Sequence, residues 1–182
     1  MEQFEQALRI LFPLEGGYSD NPNDRGGKTN LGITEGTLNA AYQAGIVGHN
    51  DVQRLTRQEA EQIYYRLYWL RGQCDKIPVP KLATVHFDGC VNHGVGGAGV
   101  LLQRVIAILT DTPLTLDGSI GPKTLSVLDR ALARNSDAAV ALSVIAKRAD
   151  LYRYLVIKRP QNREFIMGWL NRISKLQMEL GI

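Results

Sequence analysis

Two carboxylates, Glu15 and Asp24, stand nine residues apart in a stretch suited to turns rather than to core. Between Glu15 and Thr34 lie five glycines (Gly16, Gly17, Gly26, Gly27 and Gly32) among hydroxyl and amide side chains such as Ser19, Asn23, Thr29 and Asn30. So much Gly, Asn and Asp fits tight turns and a backbone that approaches a ligand closely. A carboxylic acid that donates a proton near neutrality needs surroundings that disfavour its ionised form. Glu15 is placed for that. The amphipathic pattern before it stops there, the carbonyl end of a helix is negative, and Leu11, Phe12 and Leu14 can add desolvation. A pair of carboxylates flanking a cleft is the usual equipment of glycoside hydrolysis, one as acid and the other as base or electrostatic partner. Ser19 and Thr29 could hold a water or a sugar hydroxyl. Residue types alone leave a plainer reading open, in which Glu15 is a surface residue beside a turn-rich loop.

A helix has to deliver Glu15. Phe4, Ala7, Leu8, Leu11 and Phe12 recur at helical spacing, and Gly16 and Gly17 can end the segment. Past the loop a second helical pattern runs through Leu38, Ala41 and Tyr42 and stops near Gly45 and Gly48. Thr56-Arg57-Gln58-Glu59 reads as a capping box opening a longer helix through Ile63, Leu67 and Leu70. Pro78 and Pro80 break the chain. Leu82, Val85, Phe87 and Val91 then predict a mostly buried helix closed at Gly94, and Val100, Leu101, Val105, Ile106 and Leu109 predict another. Asp117 to Pro122 reads as a turn and cap, with Pro122 as a first helical residue and Leu125, Leu128 and Leu132 behind it. Ser136 predicts the N-cap of a long helix through Val140, Val144 and Leu151. Phe165, Trp169, Ile173, Leu176 and Leu180 mark the last. Strand-type alternation is scarce, so the expected fold is all-α with about eight helices and a boundary between residues 92 and 99.

The 182 residues suffice for one large domain or two small ones. With 45% apolar and 21% charged residues the composition is that of an ordinary globular protein. The net charge of +3 and pI near 8.9 are mildly basic, and no Lys/Arg run stands out to grip nucleic acid. Cys74 and Cys90 are too few for a disulfide framework and are read as free thiols. Glu2, Glu5 and Arg9 interrupt the first apolar segment, so no secretory signal is expected. No apolar run reaches the roughly 18 residues of a membrane span. The expectation is a monomer made in the cytoplasm, without stable membrane insertion, that depends on another protein to reach a target outside.

Several motifs carry a resemblance. Glu15-Gly16-Gly17-Tyr18, the run from Pro22-Asn23-Asp24 to Gly32-Ile33-Thr34, Tyr68-Trp69, and Phe87-Asp88-Gly89-Cys90-Val91-Asn92-His93-Gly94 together resemble the signature of the glycoside hydrolase family 108 N-acetylmuramidases. These are lysozyme-like enzymes of phage endolysins and bacterial secretion activators. Asp117-Gly118-Ser119-Ile120-Gly121-Pro122-Lys123-Thr124 and Phe165-Ile166-Met167-Gly168-Trp169-Leu170-Asn171-Arg172 resemble that family's C-terminal peptidoglycan-binding module. The resemblance implies a lysozyme-like catalytic module over residues 1–94 and a helical peptidoglycan-binding module over residues 95–182. It implies hydrolysis of the β-1,4 bond between N-acetylmuramic acid and N-acetylglucosamine, with Glu15 as the catalytic acid and no cofactor. The more distant phage lysozymes use a Glu, an Asp nine residues later and a Thr six beyond that. Glu15 and Asp24 keep the first spacing; the third position here is Asn30, with Thr29 one residue early. The expected catalytic set is therefore Glu15, Asp24 and Thr29, with Tyr18, Asn30, Tyr68, Trp69 and Asn92 along the glycan. The implied partner is peptidoglycan in the periplasm, reached through a holin or a secretion system. The rival readings are a non-catalytic peptidoglycan-binding accessory of a secretion system and an enzyme acting on chitin or chitosan.

Other groupings weigh less. Gly94-Val95-Gly96-Gly97-Ala98-Gly99 contains a GxGxxG spacing, but a dinucleotide fingerprint needs a strand before it. A helical pattern precedes it here, so it reads as an inter-helix turn. His86, Cys90 and His93 would share one helix face and, with a fourth group, could ligate zinc. The same spacing describes a packed face where Cys is commonly buried, and no metal is expected. Tyr64, Tyr65, Tyr68 and Trp69 could stack on sugars, although aromatics at helical spacing are more often core; one of the four is expected at the cleft.

Overall fold

The computed structural model describes residues 1–15, 18–19 and 27–182. Among them are seven α-helices and one two-stranded hairpin, so the fold is all-α as expected. The chain forms two compact units, Met1–Arg71 and Gly72–Ile182.

In the first unit, α1 (Glu2–Leu11) buries Phe4, Ala7, Leu8 and Leu11, the stripe visible in the sequence, and runs into a 3-10 turn at Phe12–Leu14. The hairpin pairs β1 (Thr29–Asn30) with β2 (Ile33–Thr34), Thr29 opposite Thr34 and Asn30 opposite Ile33. Thr34 then caps α2 (Glu35–Gln43), its hydroxyl accepting from the Thr37 N–H at 3.2 Å. The expected capping box is present: Thr56 and Glu59 satisfy each other's backbone N–H at the start of α3 (Arg57–Ile63). Beyond Ile63 the helix widens into a π-helical stretch, Tyr64–Trp69. The Phe4 ring packs 5.0 Å from Tyr65 and 5.4 Å from Trp69, which joins α1 to that stretch.

The second unit is built on α4 (Pro80–Thr110), two helical runs that meet at Gly94, where φ is +75° and ψ 157°. The closure expected at Gly94 is there, but the helix resumes at once instead of looping to residue 99. Pro122 opens α5 (Pro122–Arg134) and Ser136 caps α6 (Asp137–Lys158), both as predicted; α7 (Arg163–Leu180) follows. The GxGxxG spacing serves a close approach of two backbones. A Cβ on Gly99 would strike the Gly118 backbone, and one on Gly118 would strike Gly96. Gln103 fixes that loop, accepting from the Gly118 N–H at 2.8 Å and donating to Asp117 Oδ1 at 2.8 Å.

By length and composition α4 could cross a bilayer. Its first half, however, carries one member of a buried ion triad, as befits the core helix of this unit. Asp88 sits 2.7 Å from Arg148 Nη2 of α6 and 2.8 Å from Arg172 Nη2 of α7, with Asp88 and Arg148 wholly buried. Burial would push the Asp88 carboxyl up; the charges of Arg148 and Arg172 outweigh it and hold the group below the ordinary carboxylate range. The expected module boundary at 94/95 therefore lies at a kink within α4, while the compact unit begins at Gly72.

Candidate active site

Glu15 leaves the helix where the sequence placed it. Its N–H donates to Leu11 O at 3.2 Å and Phe12 O at 3.1 Å, and its own backbone is already extended (φ −91°, ψ 141°). The residue is half-buried. Phe12 steadies this turn, its ring edge-on to Tyr64 at 5.8 Å and covered by the Arg57 guanidinium at 4.5 Å.

The hairpin supplies the surface that Glu15 rests against. Its two turn residues, Leu31 and Gly32, both take positive φ, +51° and +75°, as a two-residue hairpin turn of matching twist requires. Such a backbone is costly for leucine, and the Tyr64 hydroxyl donates to the Leu31 carbonyl at 2.8 Å to hold it. Gly32 has no room for a side chain: a Cβ there would collide with the Glu15 carboxyl and the Tyr64 hydroxyl. Three segments distant in sequence thus meet at one point: the end of α1, the hairpin turn and the π-helical stretch. Such stretches occur frequently at functional sites.

The remaining expected residues are unevenly placed. Thr29 is half-buried and exchanges backbone hydrogen bonds with Ser19 at 2.8 and 2.9 Å. Asn30 spends its amide on structure, Nδ2 donating to Val52 O at 3.0 Å. Tyr18 is 45% exposed and accepts from Gln53 Nε2 at 3.0 Å, so Tyr18 and Asn30 both reach the turn Val52–Arg54. Asp24 lies outside the described residues. Tyr68 is half-buried with its ring 5.9 Å from Tyr64. Trp69 corrects the expectation of a glycan contact: it is 2% exposed and packed against Phe4, so its faces belong to the core. Asn92 is exposed on α4 of the second unit, its amide donating to Asp88 O at 2.8 Å. The group His86, Cys90 and His93 also divides. His93 turns to the Tyr152 hydroxyl at 3.3 Å, while His86 and Cys90 meet Cys74 instead.

Residues 8–94 match the family model for Glycosyl hydrolase 108, and residues 97–174 match that for a Predicted Peptidoglycan domain. Residues 8–94 therefore form a glycosyl hydrolase 108 module. The hydrolase is similar in fold to a solved structure described as "Structure of Brucella abortus SagA", with 29% identity over 98% of this chain and 94% of that one and a TM-score of 0.77. No curated protein matches it. It is thus a glycoside hydrolase with a peptidoglycan-related module.

Sequence reasoning passed over the residues that seat Glu15 in this hydrolase. Gly32 was visible only as one glycine among five, although a glycine after Asn30-Leu31 and before a β-branched pair fits the second place of a tight hairpin turn. Nothing in the cluster Tyr64, Tyr65, Tyr68 and Trp69 singles out Tyr64 as the one whose hydroxyl reaches the hairpin.

Proposed function

We propose that the hydrolase is an N-acetylmuramidase that cuts the β-1,4 bond between N-acetylmuramic acid and N-acetylglucosamine in the cell wall. The observation that carries this reading is the seat of Glu15. A half-buried carboxyl stands at a helix end against Gly32 and Tyr64, inside a glycosyl hydrolase 108 module that is followed by a peptidoglycan module. Glu15 gives its proton to the glycosidic oxygen as the bond to C1 breaks. Asp24 stabilises the positive charge that develops on the sugar or orients the water that adds to C1. Thr29 and Asn30 position that water or the substrate. The product side bears a new reducing end on muramic acid.

Mass spectrometry of peptidoglycan digested by the wild type and by Glu15→Gln tests the proposal. New reducing-end muramic acid is expected with the wild type only. Reducing-end glucosamine would reject the muramidase assignment, and cleavage of chitin oligomers in preference to peptidoglycan would reject the substrate. No cleavage of either polymer by the wild type would point to an accessory that binds without turnover.

A further inference from the structure

Three side chains of metal-ligating type meet in the interior of the second unit. Cys74 opens a 3-10 turn, Cys74–Lys76, just after Gln73 at φ +54°. His86 and Cys90 lie one turn apart on α4. None of the three is more than 1% exposed, and both cysteines are free thiols. One donor atom from each lies within 4.8 Å of the other two.

Ordinary packing accounts for a buried cysteine, which behaves as a small hydrophobe, but not for the imidazole. His86 Nε2 contacts Gly72 O at 3.0 Å, while Nδ1 is buried with no hydrogen-bond partner among the described residues. A ring satisfied on one side only is an unfavourable core filler. It is the Nε2 side of the ring that faces Cys90, and the donor spacing there fits a tetrahedral metal site. With Zn–S near ~2.3 Å and Zn–N near ~2.05 Å in a tetrahedral site, neighbouring sulfur and nitrogen donors stand about 3.5 Å apart. His86 Nε2 is 3.7 Å from Cys90 Sγ. The Gly72 carbonyl, beside the same nitrogen, is an oxygen within reach of the fourth corner.

We propose that Cys74, His86 and Cys90 bind one thiophilic divalent cation of the zinc type, which ties the start of the second unit to α4. Binding takes the nitrogen lone pair of a neutral His86 and converts both thiols to thiolates, releasing two protons to solvent. A soft donor set of this kind favours zinc over magnesium or calcium, and a closed, buried site is structural rather than catalytic. Its binding energy adds to the stability of the unit.

The test uses the full chain, reduced and stripped of metal. Titration with Co²⁺ should give thiolate-to-cobalt charge-transfer absorption and intense visible bands that saturate at one ion per chain and vanish when Zn²⁺ is added. Native mass spectrometry should find the mass of one zinc less two protons. Cys74→Ser and Cys90→Ser, each checked for folding by circular dichroism, should weaken uptake by roughly a hundredfold or more, beyond the loss usual for second-shell changes. Failure of the reduced wild type to take up either ion would overturn the proposal without recourse to any variant. So would uptake undiminished in both folded serine variants, or a zinc adduct that has lost no protons.

Discussion

At Gly32 the main chain itself is part of the wall against which the Glu15 carboxyl rests. Gly32→Ala adds a methyl group that the carboxyl and the Tyr64 hydroxyl both obstruct, and it adds the roughly 1–2 kcal/mol that a left-handed backbone costs a residue with a Cβ. Gly27→Ala separates the two effects, because Gly27 also has positive φ (+67°) but, among the described residues, nothing near its would-be Cβ. Thermal melts should show both variants destabilised, and cell-wall turbidity assays should show the larger activity loss, more than about tenfold (1.4 kcal/mol of barrier), for Gly32→Ala. Equal activity in the two would separate Gly32 from the chemistry. Glu15→Gln keeps the shape of the acid but has no proton to transfer, and general-acid assistance is worth roughly 10²- to 10⁴-fold. That variant should lose nearly all turnover. On the proposed mechanism Asp24→Asn should keep a measurable residue of activity, because Thr29 and Asn30 would still orient the water in part. An Asp24 acting through water implies carboxyls about 6.5–9.5 Å apart and an inverted product. NMR of the first-formed anomer reads this directly, and a retained β product would make Asp24 a nucleophile instead.

Among the elements, α4 couples pH to stability. Burial, with the nearby Arg148 charge adding to it, lowers the His93 imidazole to about 4. A group depressed on folding contributes stability that is fully present above its unfolded value and lost as pH falls toward the folded one. The unit should therefore weaken between about pH 6.5 and pH 4, by at most about 3 kcal/mol from this residue. His93→Gln, which cannot take up a proton, should flatten that part of a stability–pH curve measured by urea unfolding. An unchanged slope would assign the acid sensitivity elsewhere. The elements differ in how far the sequence disclosed them, and the reason is locality. The α1 stripe, the Thr56 capping box, Pro122 and Ser136 act within a turn or two of themselves and were legible. The hairpin was not, since two-residue strands show no alternation, and Leu31 at positive φ contradicts its own preference until Tyr64, 33 residues away, supplies the hydrogen bond. The burial of Trp69 was hidden for a similar reason: helical spacing cannot tell a ring that meets Phe4 from one that faces solvent. Cys74 joins His86 and Cys90 only because the chain turns back at Gln73.

At the level of the whole molecule, the family match ends at residue 94 but the packing does not. Residues 80–93 present Asp88 to Arg148 and Arg172, both far beyond that limit. Truncation after residue 95 leaves the carboxylate without either partner, and breaking a buried pair in this way costs about 3–5 kcal/mol. The fragment should be insoluble or weakly active; a soluble 1–95 protein with full activity would show that the triad is dispensable. The two tryptophans of the chain fall one to each compact unit. Trp69 is sealed inside the first, so its emission begins blue and moves red only when that unit opens. Trp169 is already half in water, with the tilted Tyr152 ring 5.2 Å away and the stacked Phe165 ring 6.1 Å away, so its brightness changes when those rings separate. Replacing either with phenylalanine leaves a single tryptophan, excited apart from the tyrosines at the red edge of absorption, that reports on one half of the enzyme, and an unlabelled sample in a cuvette then tells whether the halves melt together or in turn.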